Sequence, residues 1–279
     1  MTRSFTCSIL LVFIVFFLSD KIHGQYSLNT SIANVKSIAL GNSGIAYQDN
    51  LSHHFNPAHL AWIESHNVEA FTSNYFLVKN LFQFAGHFQV KMSSKDGLGL
   101  SYVTVGSPTL RENLLQLSYG RKLSKIASLG ITGNYNFAQG VENYSESNID
   151  FNTGLFLALK PYLNIALIAK NPFPLRHKEN YNLPSLFAIG LQYKIYEHVS
   201  VLVDLQKKST TSTSGHIGLI YRIQNAVSLQ TGFNTSNKTM SGGASFILYK
   251  NLELNFAVQY HSTLGTSPAF SVRYQIPKK

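Results

Sequence analysis

Apolar and polar residues alternate with a period of two along most of this chain, and no other feature restricts its fold as strongly. In residues 127–137 the odd positions are Ala, Leu, Ile, Gly, Tyr and Phe, whereas the even positions are Ser, Gly, Thr, Asn and Asn. Residues 227–234 and 252–261 alternate in the same way. Because successive side chains of a strand point to opposite sides of a sheet, each segment has one apolar face and one polar or small face.

Segments of this kind follow one another from residue 67 onward, without comparable helical periodicity between them. Their lengths suit tilted strands that cross a bilayer, which need about 9–11 residues each. The fourteen predicted strands lie near residues 67–78, 81–92, 96–105, 112–122, 126–138, 148–160, 162–170, 185–196, 198–206, 214–223, 226–234, 240–249, 252–261 and 268–276.

Two architectures use alternating strands, and composition separates them. A soluble sandwich needs charges on its outer face, but only 13% of the residues are charged, against about 25% in average soluble domains. An outer-membrane barrel turns its apolar face to lipid and its polar face to a lumen, and its closure leaves no unpaired strand edge. We therefore predict an all-β, transmembrane antiparallel barrel over residues 67–279, with the sandwich as the alternative.

The connections between the segments support this interpretation. Outer-membrane barrels have short periplasmic turns and longer outer loops, and short and long joints alternate along this chain. Residues 139–147 and 171–184 are long joints, whereas Pro161 and Glu197 are nearly minimal ones. Only the tight joint at residues 79–80 departs from this order.

The first 66 residues are predicted to form two further units. Residues 1–24 have a basic start, an apolar core and a polar exit, which is typical of a secretory signal peptide. We expect cleavage after Gly24, which removes Cys7, the one cysteine of the sequence; an uncleaved anchor helix is the alternative. The barrel together with this signal predicts the bacterial outer membrane as the location.

Residues 25–66 lack strand alternation and are predicted to form a plug that folds into the mouth of the barrel. Gly41 and Gly44 allow a positive φ or a close approach of two backbones. The pair Asn56-Pro57 favours a turn, from which Ala58 begins one or two helical turns.

This N-terminal stretch resembles the opening of the PorV/PorQ-type outer-membrane proteins of Bacteroidetes, a group within the FadL-like superfamily. Short stretches at 169–171, 183–190 and 261–265 continue the resemblance, which covers residues 37–276. It implies a fourteen-stranded barrel with a plug, and a role in type IX protein secretion or surface attachment, with secretion-machinery proteins or secreted cargo as partners. The plug residues that carry the resemblance are Gly41, Asn42, Gly44, Asp49, Asn56, Pro57 and Ala58.

Two other functions stay open at this stage. The chain resembles FadL-type transporters more distantly, and this favours the alternative of a channel for a hydrophobic small molecule, gated by the plug. The outer loops are shorter than those that fatty-acid transporters of this type use for substrate binding. A purely structural barrel without cargo is the third hypothesis.

Chemistry at a catalytic or metal site is not expected. His53, His54, His59 and His66 lie close together in the sequence, but no cysteine accompanies them and their spacing matches no closed zinc ligand set. We interpret them as solvated loop histidines. Because the chain has no Gly-x-Ser-x-Gly elbow, we predict that it is not an enzyme and has no catalytic residues, metal or cofactor.

The formal net charge is +10, which raises the question of nucleic acid as a partner. Most of the cationic residues fall in predicted loops or at predicted strand ends, where they neighbour the phosphates of lipid head groups. We therefore expect outer-membrane lipid, and no nucleic acid, as a partner. The predicted charges of the lumen are Lys194, Arg222, Arg273 and Glu253, and Asp204 is a further possible partner for the cations.

Overall fold

The computed structural model describes residues 34–48, 52–141, 144–174, 183–236, 238–249 and 251–277. The predicted signal peptide and Asp49 lie outside these ranges. In the part of the chain that is described, no helix is both long and apolar enough to cross a membrane.

The described residues form a closed antiparallel barrel of fourteen strands, which confirms the predicted fold class. Each strand pairs with its neighbours in sequence, and the first strand pairs with the last. The strands are β1 (His66–Asn74), β2 (Phe82–Lys91), β3 (Asp96–Gly106), β4 (Leu110–Lys122), β5 (Ala127–Gly140), β6 (Ser145–Lys160), β7 (Leu163–Lys170), β8 (Leu186–Tyr196), β9 (Val199–Lys208), β10 (Ser214–Gln224), β11 (Val227–Asn234), β12 (Thr239–Leu248), β13 (Leu252–His261) and β14 (Gly265–Ile276).

The two faces of the wall follow the predicted alternation. In β5, Leu129 and Ile131 are exposed on the outside, whereas Thr132 and Asn134 are buried on the inside. The other strands repeat this arrangement, so that large apolar side chains cover the exterior. Such an exterior is the one expected of a barrel that crosses a lipid bilayer.

Residues 34–48 and 52–65, here called the inner segment, lie inside the barrel. They contain the helix α1 (Val35–Ala39) and two 3₁₀ helices, η1 (Ser52–His54) and η2 (Pro57–Trp62). The Asn34 side chain caps α1 by accepting a hydrogen bond from the Ser37 amide at 3.2 Å. The predicted helical turns after Asn56-Pro57 correspond to η2.

The inner segment is held by apolar contacts with the few large apolar residues that point into the lumen. In three clusters, Val35, Ile38 and Ala39 pack with Phe71, Val103 and Leu114; Ile45 and Ala58 pack with Phe156 and Ile168; and Leu40 packs with Leu202 and Ile220.

Glycines on the inward face allow the backbone of the inner segment to approach the wall. A Cβ atom at Gly130 would overlap the carbonyl carbon of Pro57 and the amide nitrogen of Ala58. Gly41, with a φ of 65°, lies in the same way against the backbone of β11. A side chain at either glycine would therefore push the inner segment and the wall apart.

The connection between β1 and β2 differs from its prediction. The first strand ends at Asn74 rather than at residue 78, and a third 3₁₀ turn, η3 (Tyr75–Leu77), follows it. Phe76 and Leu77 have φ values of 56° and 55°, which residues of this size rarely adopt. The joint at 79–80 is therefore the end of a longer loop over residues 75–81, and the exception to the alternation of short and long joints disappears.

Replacing Gly130 by alanine is expected to weaken the seating of the inner segment, because the added methyl group overlaps the η2 backbone. Overpacking of this kind costs about 1–3 kcal/mol. Trp62, the one tryptophan of the sequence, lies in η2, where its Nε1 donates to Ser128 Oγ at 2.8 Å. Its fluorescence therefore reports whether the inner segment is packed against the wall. We expect Gly130→Ala to lower the denaturant concentration at which half of the Trp62 emission change has occurred.

Gly133→Ala is the matched control for this prediction. Gly133 lies on the same strand but faces outward, and a Cβ atom there would meet no atom within 4 Å. We expect its midpoint to equal that of the parent protein. Equal midpoints for Gly130→Ala and Gly133→Ala would contradict the close approach at Gly130.

Candidate functional site

The inner segment separates two cavities of the lumen. The long-loop cavity, of about 180 Å³, opens between Ile45 and the ends of β7, β9 and β10 near the longer connections. The short-turn cavity, of about 500 Å³, lies between Lys36, Trp62 and the strand ends near the tight turn at residues 225–226. Residues of the inner segment line both cavities, which makes this segment and its two cavities the candidate functional site.

Asp204 attaches the first half of the inner segment to the wall. Its Oδ2 accepts hydrogen bonds from the amide groups of Gly44 at 2.7 Å and Ile45 at 3.1 Å. Gly44 has a φ of 143°, which allows two successive amide groups to point at one oxygen. Asp204, predicted as a partner for lumenal cations, instead binds this backbone.

Asn56 attaches the second half. Its Oδ1 accepts from the Ala58 amide at 3.0 Å and so caps η2, while its Nδ2 donates to the carbonyl groups of Leu155 at 3.1 Å and Leu167 at 3.5 Å. Pro57 occupies the first turn of η2, where a missing N–H costs nothing. Asn56 therefore shapes the inner segment and joins it to β6 and β7.

The remaining predicted plug residues lie beside these attachment points. The carbonyl oxygen of Gly41 accepts a hydrogen bond from His216 Nδ1 at 3.1 Å. Asn42 has a φ of 66° and lines the long-loop cavity, and its Oδ1 has no hydrogen-bond partner among the described residues. Ala58 is fully buried against the wall. The structure thus brings the described plug residues into contact with the lumenal wall.

The histidines of the inner segment are buried, so their interpretation as solvated loop residues is wrong. His53 has 1% of its surface exposed and lies in a chain of hydrogen bonds. Gln89 Nε2 donates to His53 Nδ1 at 2.6 Å, and His53 Nε2 donates to Ser101 Oγ at 2.8 Å. The second histidine, His54, bonds Gln116 Oε1 through Nδ1 at 2.6 Å. The sequence carries no sign of this burial, because the partners come from β2, β3 and β4.

This network holds His53 in its neutral form. Burial holds the pKa of His53 well below its ordinary value near 6.5, and the neighbouring His87, His54 and His59 lower it further. A protonated imidazole would also lose the bond in which Nδ1 accepts from Gln89. Within the described ranges, no group of three histidine, cysteine or acidic residues is placed to hold a metal ion.

Two of the four predicted lumenal charges, Glu253 and Arg273, belong to one ion-pair cluster. Glu253 and Arg273 face each other on β13 and β14 and form a buried ion pair, and Lys36 Nζ of α1 binds Glu253 Oε1 at 2.5 Å. Lys194 is half-buried near the short-turn end of β8, and Arg222 is exposed at the mouth of the short-turn cavity. The cluster therefore fastens α1 to the wall.

Sequence reasoning missed the charged residues of the long-loop cavity. Lys170, Lys208 and His216 line it from β7, β9 and β10. The alternation of each strand could have predicted that these side chains point into the lumen, because each occupies a position that alternates with the outward apolar residues. Only the pairing of the strands brings them together.

Comparison with known proteins identifies the fold but no family. No protein-family model matches the chain, and no curated protein matches it. The toluene transporter TbuX of Ralstonia pickettii shares the fold with a TM-score of 0.70 and 13% identity over 87% of this chain and 98% of that one. The toluene transporter TodX of Pseudomonas putida matches at 0.68 and 9% identity, over 88% and 99% of the two chains. A FadL homologue of Pseudomonas aeruginosa matches at 0.65 and 9% identity, over 87% and 98%.

These structural neighbours are barrels of the FadL type, and they include a toluene transporter and a channel for monoaromatic hydrocarbons. At such low identity they establish a common fold. None of them points to the PorV/PorQ group or to Bacteroidetes, so that part of the sequence resemblance gains no support.

Acidification is expected to loosen the inner segment. The pKa of His53 is lowered when the inner segment is packed inside the barrel. The free energy that holds the segment there is therefore fully present above pH 6.5 and falls as the pH drops below that value. The loss amounts to about 1.4 kcal/mol per pH unit for each proton taken up. Trp62 emission is expected to shift to the red between pH 6.5 and 4.5. His53→Gln is expected to flatten this dependence, and an unchanged pH profile in that variant would contradict the assignment.

Removing the Asp204 carboxylate is expected to release the first half of the inner segment. In Asp204→Ala two buried amide groups lose their acceptor, at about 1–3 kcal/mol for each unsatisfied group. Asp204→Asn keeps one side-chain oxygen, which can still accept from the two amide groups. Its amide nitrogen would replace Oδ1, an atom that makes no hydrogen bond within the described residues. We therefore expect the Trp62 denaturant midpoint to fall strongly in Asp204→Ala and less in Asp204→Asn. Equal midpoints in both variants would disprove the role of the carboxylate oxygen.

Proposed function

We propose that this protein is an outer-membrane channel for a small hydrophobic molecule and that the inner segment is its gate. The observation that carries the proposal is the position of the inner segment between the two lumenal cavities. Its contacts with the wall include hydrogen bonds, an ion-pair cluster and apolar packing, all of which are reversible.

The fold supports the same function. Two of the structural neighbours are toluene transporters, and a third is a channel for monoaromatic hydrocarbons. The apolar exterior suits a barrel in the outer membrane. A role in type IX secretion, with secretion proteins or cargo as partners, rests on the sequence resemblance alone, and we regard it as the weaker hypothesis.

A reversible covalent lock tests the gate. Ser43 Oγ lies against the position that a Cβ atom would take at Gly218, so cysteines at these two positions are close enough for a disulfide, which needs Cβ atoms about 3.5–4.5 Å apart. In a Cys7→Ser background, Ser43→Cys with Gly218→Cys is expected to abolish the protein-dependent entry of toluene into intact cells. Reduction of the disulfide is expected to restore it.

The same protein under reducing conditions is the control, and the two single-cysteine variants exclude effects of oxidation elsewhere. Toluene entry that is equal in the oxidised and reduced forms would show that the inner segment is not the gate. Entry that does not depend on the parent protein at all would overturn the channel itself.

A further inference from the structure

The chemistry of the long-loop cavity does not suit a purely apolar solute. It is lined by three basic residues, Lys170, Lys208 and His216. No acidic residue among those described lines it. Strand pairing sets Leu186 opposite both Lys170 and Lys208, so the two lysines flank one apolar residue on three neighbouring strands. Lys208 lies close enough to interact electrostatically with both Lys170 and His216.

Two carboxylates, those of Asp150 and Asp204, lie near these basic residues but do not line the cavity. Asp150 interacts with Lys170 but also accepts from Asn134 Nδ2 at 2.5 Å and from Asn136 Nδ2 at 2.7 Å. Asp204 lies opposite His216 on the neighbouring strand, and its Oδ2 accepts the two amide groups of the inner segment. Among the described residues, the ionisable side chains that line the cavity itself are therefore basic, apart from the phenol of Tyr75.

Apolar side chains complete the lining and limit the size of a ligand. Ile45, Ile168 and Leu186 face the cavity beside the two lysines. Its volume of about 180 Å³ is near the ~150 Å³ of a protein cavity that holds one benzene molecule. A body of about one ring fits this space, and a long acyl chain does not.

We propose that the long-loop cavity binds a small organic anion, a carboxylate on a body of about one ring, through the ammonium groups of Lys170 and Lys208. This names the solute class of the proposed channel, and the transport of the anion rests on that proposed function. The ring packs against Ile168 and Leu186, while the carboxylate accepts charge-assisted hydrogen bonds from the lysines. Since Ile45 and Asn42 of the inner segment line the same cavity, the bound anion contacts the gate.

Calorimetric titration of the purified full chain with benzoate, and with benzamide as the neutral isostere, tests the binding. We expect benzoate to bind at least about tenfold more tightly than benzamide, because a hydrogen bond to a charged group contributes more than a neutral one. Lys208→Met is expected to weaken benzoate binding by about tenfold or more and to leave benzamide binding unchanged. Lys208→Arg keeps the charge and is expected to retain most of the affinity.

Lys194→Met is the matched control, because Lys194 is a half-buried lysine of β8 near the short-turn end. It is expected to bind benzoate like the parent, and gel migration before and after boiling verifies that each variant forms a closed barrel. Equal affinity for benzoate and benzamide, or an unchanged affinity in Lys208→Met, would overturn the proposal. Displacement of benzoate by inorganic phosphate at equal concentration would also overturn it, because it would assign a plain anion site without an apolar part.

The failure of this proposal is distinguishable from failure of the channel. Entry of toluene into cells without selective benzoate binding would leave the channel intact and refute the anion site. Selective benzoate binding without entry of either solute would support the site and refute the channel.

Discussion

The pairing of every backbone N–H and C=O group is the constraint on which this structure depends. A lipid bilayer offers these groups no water, and an unpaired one costs several kcal/mol there. Pairing of β1 with β14 closes the sheet, so that no strand keeps a free edge. Once the sheet is closed, the outward side chains must be apolar and the inward ones are free to be polar, and this accounts for the period of two along the chain.

A closed wall of fourteen strands creates a second requirement, because its lumen is too wide for inward side chains to fill. Barrels of eight strands are filled by their own side chains, whereas those of sixteen or more leave an aqueous channel. In this protein the inner segment occupies the space, and the wall is adapted to it. Glycines such as Gly130 admit its backbone, Phe156 and Leu114 meet its apolar side chains, and Asp204 binds its amide groups.

The two ends of the lumen differ in the charged side chains that line their cavities. At the short-turn end Glu253 forms ion pairs with both Arg273 and Lys36, and these contacts hold α1 in place. At the long-loop end Lys170 and Lys208 face a cavity whose described lining contains no acid. The first arrangement suits a structural role and the second suits recognition of a ligand.

The sequence by itself determined the strands, the direction of their faces and the conformational role of Gly41, Gly44 and Asn56-Pro57, because these depend on local geometry. It did not reveal the positive φ of Phe76. In the folded barrel this conformation is supported by a hydrogen bond from the Phe76 amide to Ser267 Oγ on β14. The burial of His53 was equally hidden, since its partners Gln89 and Ser101 lie on two other strands. The cationic cavity arose only when pairing placed β7, β8 and β9 side by side. Such contacts join residues far apart in the chain, and their free energies depend on distances that only the folded barrel sets.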